Sequence, residues 1–188
     1  MSYDVIAIGA SWGGLHAVGT LLEGIPEAID PAIVVVQHRS SESNRGVLES
    51  LLQRHTARPV CEPGDKDRIE PRRVYVAPAD YHLLVGPDGF ELSVDARVQF
   101  ARPSIDVFFE SVAVAYRERA IGVVLTGANA DGAEGLAAIK DGGGVSIVQD
   151  PKTAARREMP AAAIAASVAD AVLPLEAIGP FLYGLCHE

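Results

Sequence analysis

Val5-Ile6-Ala7-Ile8-Gly9-Ala10-Ser11-Trp12-Gly13-Gly14 is an apolar run that ends in a glycine-bracketed turn. A run without polar alternation suits a strand buried on both faces of a parallel sheet. Beyond the turn, Leu15, Val18, Leu22 and Ile25 recur at helical spacing until Gly24 and Pro26 close the pattern, and Ala32 to Val36 is a second buried run. The three pieces make a βαβ unit. A second unit follows the same plan, with a strand from Ile121 to Leu125, a helix from Asp131 to Asp141 stopped at Gly142-Gly143-Gly144, and a strand from Val145 to Val148. Ser104 is placed to cap a helix whose apolar stripe is Ile105, Phe108, Phe109, Val112 and Tyr116. Val168 to Leu173 reads as a further strand, and Ile178, Phe181, Leu182 and Leu185 as a docked terminal helix.

The segment from Val74 to Val94 differs. Val74-Tyr75-Val76, His82 to Val85 and Phe90-Glu91-Leu92 surround the Gly86-Pro87-Asp88-Gly89 turn, a pattern of antiparallel hairpins placed here at one edge of the sheet. The expected fold is α/β: a doubly wound, mostly parallel sheet with helices on both faces and an antiparallel hairpin at one edge, one domain over residues 1–188.

Composition agrees with a packed globular domain, since 48% of the residues are hydrophobic and 22% charged. The net charge of −9 repels nucleic acid and acidic membrane surfaces, so neither is an expected partner. No stretch approaches the roughly 18 apolar residues of a membrane span, and no basic leader opens the chain, which predicts a cytoplasmic protein without membrane insertion. Cys61 and Cys186 lie far apart without metal-ligand spacing and read as reduced packing residues.

Gly9-Ala10-Ser11-Trp12-Gly13 is a G-x-S-x-G turn between strand and helix, an arrangement that exposes a serine hydroxyl above free helix N–H groups. A plain turn with Ser11 as helix N-cap reads equally well from this motif alone. His38 ends the second strand, so in a doubly wound sheet it emerges beside Ser11. Asp131 follows the strand that starts at Ile121; it reads either as a helix N-cap or, if that strand borders the first one, as the third member of a Ser-His-Asp set. In such a set the imidazole takes the hydroxyl proton and the carboxylate fixes its tautomer.

At this point the chain resembles the catalytic domain of the chemoreceptor glutamate methylesterases, the CheB type. The matching segments are Ala7 to Ser11 with Gly13-Gly14, Gln37-His38, Val76-Ala77-Pro78-Ala79-Asp80-Tyr81-His82, Arg102-Pro103-Ser104-Ile105-Asp106, Leu125-Thr126-Gly127 with Asp131-Gly132, and Gln149-Asp150-Pro151 with Met159-Pro160. The resemblance implies Ser11 as nucleophile, His38 as base and Asp131 as its orienting partner, acting on γ-glutamyl methyl esters of chemoreceptor helices with no cofactor and no metal. Glutamine deamidation is left open. Two positions depart from the family pattern: Trp12 stands where a threonine is usual, and Ala128 where a methionine is usual. Oxyanion stabilisation by the N–H groups of Trp12 and Ala128 would survive both changes. Family members commonly carry an N-terminal receiver domain; with the first strand beginning by Tyr3, the expectation is a catalytic domain without one, active without a phosphodonor.

Arg39, directly after the base, is the expected docking residue for an acidic receptor helix, whereas Arg102, Arg156 and Arg157 read equally as cleft or ordinary surface charges. His82 is expected to be structural, and His16, His55 and His187 solvated. Three rival readings remain: a nucleotide-binding module, disfavoured because Gln37-His38-Arg39 supplies no acidic ribose ligand, a serine esterase or amidase for small molecules, and a catalytically silent receptor-binding protein, disfavoured by the intact Ser11, His38 and Asp131.

Overall fold

A computed structural model describes residues 2–40, 43–166 and 169–187. In chain order its elements are β1 (Val5–Ala10), α1 (Gly14–Gly24), β2 (Ala32–Gln37), α2 (Val47–Leu52), β3 (Val60–Cys61), β4 (Val74–Val76), β5 (His82–Gly86), β6 (Gly89–Ser93) and α3 (Ile105–Tyr116). They continue with β7 (Ala120–Val124), α4 (Ala133–Asp141), β8 (Val145–Gln149), α5 (Glu158–Ala166), β9 (Ala171–Leu173) and α6 (Leu175–His187). Seven strands form one parallel sheet in the order β3-β4-β2-β1-β7-β8-β9.

Period-two alternation along β1 sets the two faces. Val5 and Ala7 join a buried layer with Phe108, Phe109 and Val112 of α3, Leu136 and Ile139 of α4 and Met159 of α5. Ile6, Ile8 and Ala10 point the other way, onto Val18, Leu21 and Leu22 of α1 and Ile178 and Leu182 of α6. Because both faces are covered, the central strands are apolar throughout, which is why they read as continuous runs.

The doubly wound α/β architecture follows the sequence expectation, with local differences. The antiparallel hairpin exists, but among the described residues β5 and β6 pair only with each other, while Val74–Val76 is a parallel strand of the main sheet. Leu83 and Phe90 carry the hairpin into the α3 side of the core, so packing rather than edge hydrogen bonding holds it. The edge beyond β4 is the two-residue β3, too short to give a pattern. Leu15 is 41% exposed rather than part of the α1 core stripe. The terminal strand spans Ala171–Leu173; Val168, its expected first residue, lies outside the described residues. Among the described residues no helix is long and apolar enough to cross a membrane.

Candidate active site

β1 lies between β2 and β7; the chain builds the β2 side of the sheet first and, after α3, the β7 side, so the loops after these strands open a crevice at the carboxyl edge of the sheet. Ser11, His38 and Asp131 all stand in those loops. Ser11 N–H donates to the Thr126 carbonyl at 2.9 Å, and the Ser11 carbonyl accepts from Gln37 Nε2 at 2.8 Å and from Gly14 N–H at 2.8 Å. Gly13, at φ 78°, is the N-cap of α1, so Ser11 does not cap the helix and its hydroxyl is free to turn toward β2. Gly14 is required by a close approach: a Cβ there would sit 1.9 Å from Gln37 Oε1 and displace the side chain that pins the turn.

The Ser11 hydroxyl lies 3.1 Å from His38 Nδ1, and His38 Nε2 lies 2.6 Å from Asp131 Oδ2. A carboxylate only accepts, so Nε2 carries the proton, and Nδ1 is left as an acceptor facing the hydroxyl. Asp131 is fully buried and accepts four bonds: from His38, from Ser104 Oγ at 2.8 Å, and from the N–H groups of Ile105 at 2.8 Å and Asp106 at 2.9 Å. It therefore caps α3, not the α4 that follows it, whose N-cap is Gly132. Asp106 returns the exchange, its Oδ1 accepting from Gly132 and Gly135 N–H, both at 2.8 Å. This reciprocal capping ties α3 to α4, and a Cβ on Gly135 would meet Phe109 Cβ at 2.5 Å.

Burial works against the Asp131 charge, but the bond from His38 and the amides of Asp106 and Ile105 outweigh it and hold its pKa below the ordinary carboxylate value. For Asp106, burial and then the neighbouring Asp131 charge prevail over the two glycine amides and push its pKa up to about 6. The signs of the resulting linkages are opposite. Between roughly pH 4 and 6 folded Asp106 retains a proton that the unfolded chain has lost, so its stabilising contribution is full at the acid end and is lost as pH rises through about 6. Asp131 contributes stability above its unfolded pKa of about 4, lost as pH falls through its lower folded value. Asp106→Asn isolates the first effect: the urea unfolding free energy of the parent minus that of the variant should decline from pH 4 to pH 6 and then level. A flat or rising difference across that window would contradict the assignment.

Ser104 and His82 were not expected to matter here. Ser104 Oγ accepts from Val107 N–H at 3.4 Å as the helix cap, yet also donates to Asp131. His82 is buried, accepts from Ser104 N–H through Nδ1 at 3.2 Å and donates through Nε2 to the Ala96 carbonyl at 3.0 Å. Its role is structural, two hydrogen bonds away from Asp131. Only the Arg-Pro-Ser-Ile-Asp string signalled this network in the sequence.

Among the described residues, no hydrogen bond occupies the N–H of Trp12 or of Ala128, the two groups expected to face an oxyanion. Trp12 is 65% exposed, and the Arg156 guanidinium lies 5.5 Å from its ring centroid. Arg39 departs from expectation. Its side chain is 8% exposed and paired with Glu62 and, at 3.6 Å, with Glu49, so its charge is neutralised inside the protein and does not face a partner. Arg102 is also committed, donating to Asp80 Oδ1 through Nε at 3.2 Å and Nη2 at 2.8 Å. Among the described residues no three His, Cys, Asp or Glu side chains gather as a metal site.

Comparison with known proteins adds relatives to this geometry. The family model described as CheB methylesterase matches residues 6–182. A Leptospira interrogans protein provisionally named protein-glutamate methylesterase/protein-glutamine glutaminase is 45% identical over 179 residues, covering 95% of this chain and 92% of that protein. Protein-glutamate methylesterase/protein-glutamine glutaminase 2 of Pseudomonas aeruginosa is 40% identical over 95% of this chain, which spans 52% of its length. The crystal structure of the Thermotoga maritima CheB methylesterase catalytic domain superposes with a TM-score of 0.90 at 31% identity, covering 98% of this chain and 100% of that one.

Proposed function

The chain belongs to the CheB methylesterase family, and from that premise we propose that it is a serine hydrolase cleaving γ-glutamyl methyl esters on the cytoplasmic helices of chemoreceptors. The observation that carries this reading is the continuous path from Ser11 Oγ through His38 to Asp131, at 3.1 and 2.6 Å, on the crevice edge of the sheet. Ser11 Oγ attacks the ester carbonyl while its proton passes to His38 Nδ1. The N–H groups of Trp12 and Ala128 receive the oxyanion. Collapse expels the methoxy group, which leaves as methanol with the proton from His38; water, deprotonated by the same imidazole, then releases the glutamate and restores Ser11. Asp131 takes no proton and stabilises the imidazolium. The names of the relatives pair this activity with glutaminase activity, and the same steps accommodate an amide, with the His38 proton leaving on ammonia.

The test is methanol release from a methylated receptor cytoplasmic fragment. The purified protein should release methanol until the methylated sites are exhausted. Turnover of small neutral esters with no methanol from the fragment would assign it instead to small-molecule esterases.

A further inference from the structure

The loop between β6 and α3 projects a side chain that ester cleavage does not use. Val98 and Ala101 exchange backbone hydrogen bonds, N–H to carbonyl, at 3.1 and 2.8 Å and so close a two-residue turn. Its central residues, Gln99 at φ 46° and Phe100 at φ 66°, both lie in the left-handed region. Asn-Gly is the usual occupant of such a turn, and a phenylalanine there is strained. The ring gains nothing from the core in return, being 96% exposed.

Three anchors hold this strained tip. Gln99 Nε2 donates to Asp106 Oδ2 at 2.9 Å, Arg102 Nη1 donates to the carbonyls of Val94 at 2.7 Å and Asp95 at 3.0 Å, and His82 binds the Ala96 carbonyl. Two of these anchors, Asp106 and His82, belong to the network that holds Asp131. Strain that the surroundings maintain is a reason to look for function. Phe100 borders an open depression of about 400 Å³ that His38 also lines, with Arg39, Arg97 and Arg102 in its wall and no carboxylate among the described lining residues. Arg39 is neutralised by Glu62 and Glu49, but Arg97, at 3.7 Å, and Arg102, at 2.8 Å, share the single carboxylate of Asp80, which leaves a local excess of positive charge in a chain of net charge −9, with Arg97 its most exposed cation.

We propose that the 98–101 turn is the docking element for the substrate helix, with Phe100 lying against its apolar flank beside the esterified glutamate and Arg97 facing its free glutamates. The inference rests on the methylesterase reading and names the residues that select its substrate. The measured quantity is a ratio: kcat/KM on methylated receptor fragment divided by kcat/KM on p-nitrophenyl acetate. Phe100→Ala should lower that ratio by about tenfold or more, through KM on the fragment, and Phe100→Leu should recover most of it. Phe100→Gly should lower the ratio as alanine does while keeping or raising the melting temperature, because glycine accepts the positive φ; this separates docking from unfolding. An unchanged ratio in Phe100→Ala would overturn the proposal. If the parent releases no methanol, the methylesterase reading fails, and the turn is judged by affinity: Ser11→Ala protein should bind the methylated fragment about tenfold tighter than the Ser11→Ala, Phe100→Ala double variant. Equal affinities, or no binding by either, would also overturn it.

Discussion

Ser11→Ala is expected to lower kcat for methanol release by about 10⁴–10⁶-fold while leaving circular dichroism and melting temperature unchanged. The size follows from removing the atom that forms the covalent bond, and the structural silence follows from the contacts, since among the described residues the Ser11 hydroxyl hydrogen-bonds only with His38 Nδ1. The carbonyl and N–H of Ser11, which do fasten the turn, survive the substitution. His38→Ala should cost a comparable factor, and the double variant little more than either single one, because the two groups act on one proton. Losses that multiply would mean that Ser11 and His38 act independently.

Asp131→Asn should cost about 10⁴-fold in kcat, for a different reason. Asp106 N–H requires an acceptor at the Oδ1 place, so the asparagine oxygen turns toward Ser104 and Asp106 N–H, while its NH₂ group takes the Oδ2 place, leaving Ile105 N–H without its acceptor and facing His38 Nε2. That nitrogen must then accept, the ring proton moves to Nδ1, and the imidazole presents a donor to Ser11 where a base is needed. Unlike Ser11→Ala, changes here also reach the fold: Asp131→Ala leaves the buried N–H groups of Ile105 and Asp106 without their acceptor, at about 2–4 kcal/mol of stability. Urea unfolding beside steady-state kinetics separates the two effects. Near-parental kcat in Asp131→Asn would remove the carboxylate from the proton path.

What the sequence disclosed and what it withheld divide along physical lines. β1, β2, β7 and β8 are buried on both faces, so their apolar runs announce themselves, and once their order around β1 is assumed Ser11, His38 and Asp131 fall at neighbouring strand ends. The support of Asp131 comes from Ser104, Ile105 and Asp106, which lie 25 to 27 residues away in the chain. Helical periodicity puts Asp106 in the first turn of α3 without saying that its carboxylate caps α4. Arg39 illustrates the same limit. Its place after His38 suggested a cleft cation, but Glu62, 23 residues on, and Glu49 draw it inward. Alternation revealed the β5–β6 hairpin but not its partner, because the residues that dock it, Leu83 and Phe90, are apolar on either an edge strand or a separate ribbon.

The central claim is that Ser11 carries the acyl group between methanol release and hydrolysis. Acid quenching of the protein during turnover of methylated receptor fragment, followed by mass spectrometry of the Ser11 peptide, tests it most directly. The account predicts the γ-glutamyl fragment linked to Ser11, formed with the first equivalent of methanol and absent from Ser11→Ala protein. Stoichiometric methanol release with Ser11 unmodified, under conditions where release of the glutamate is the slow step, would contradict it.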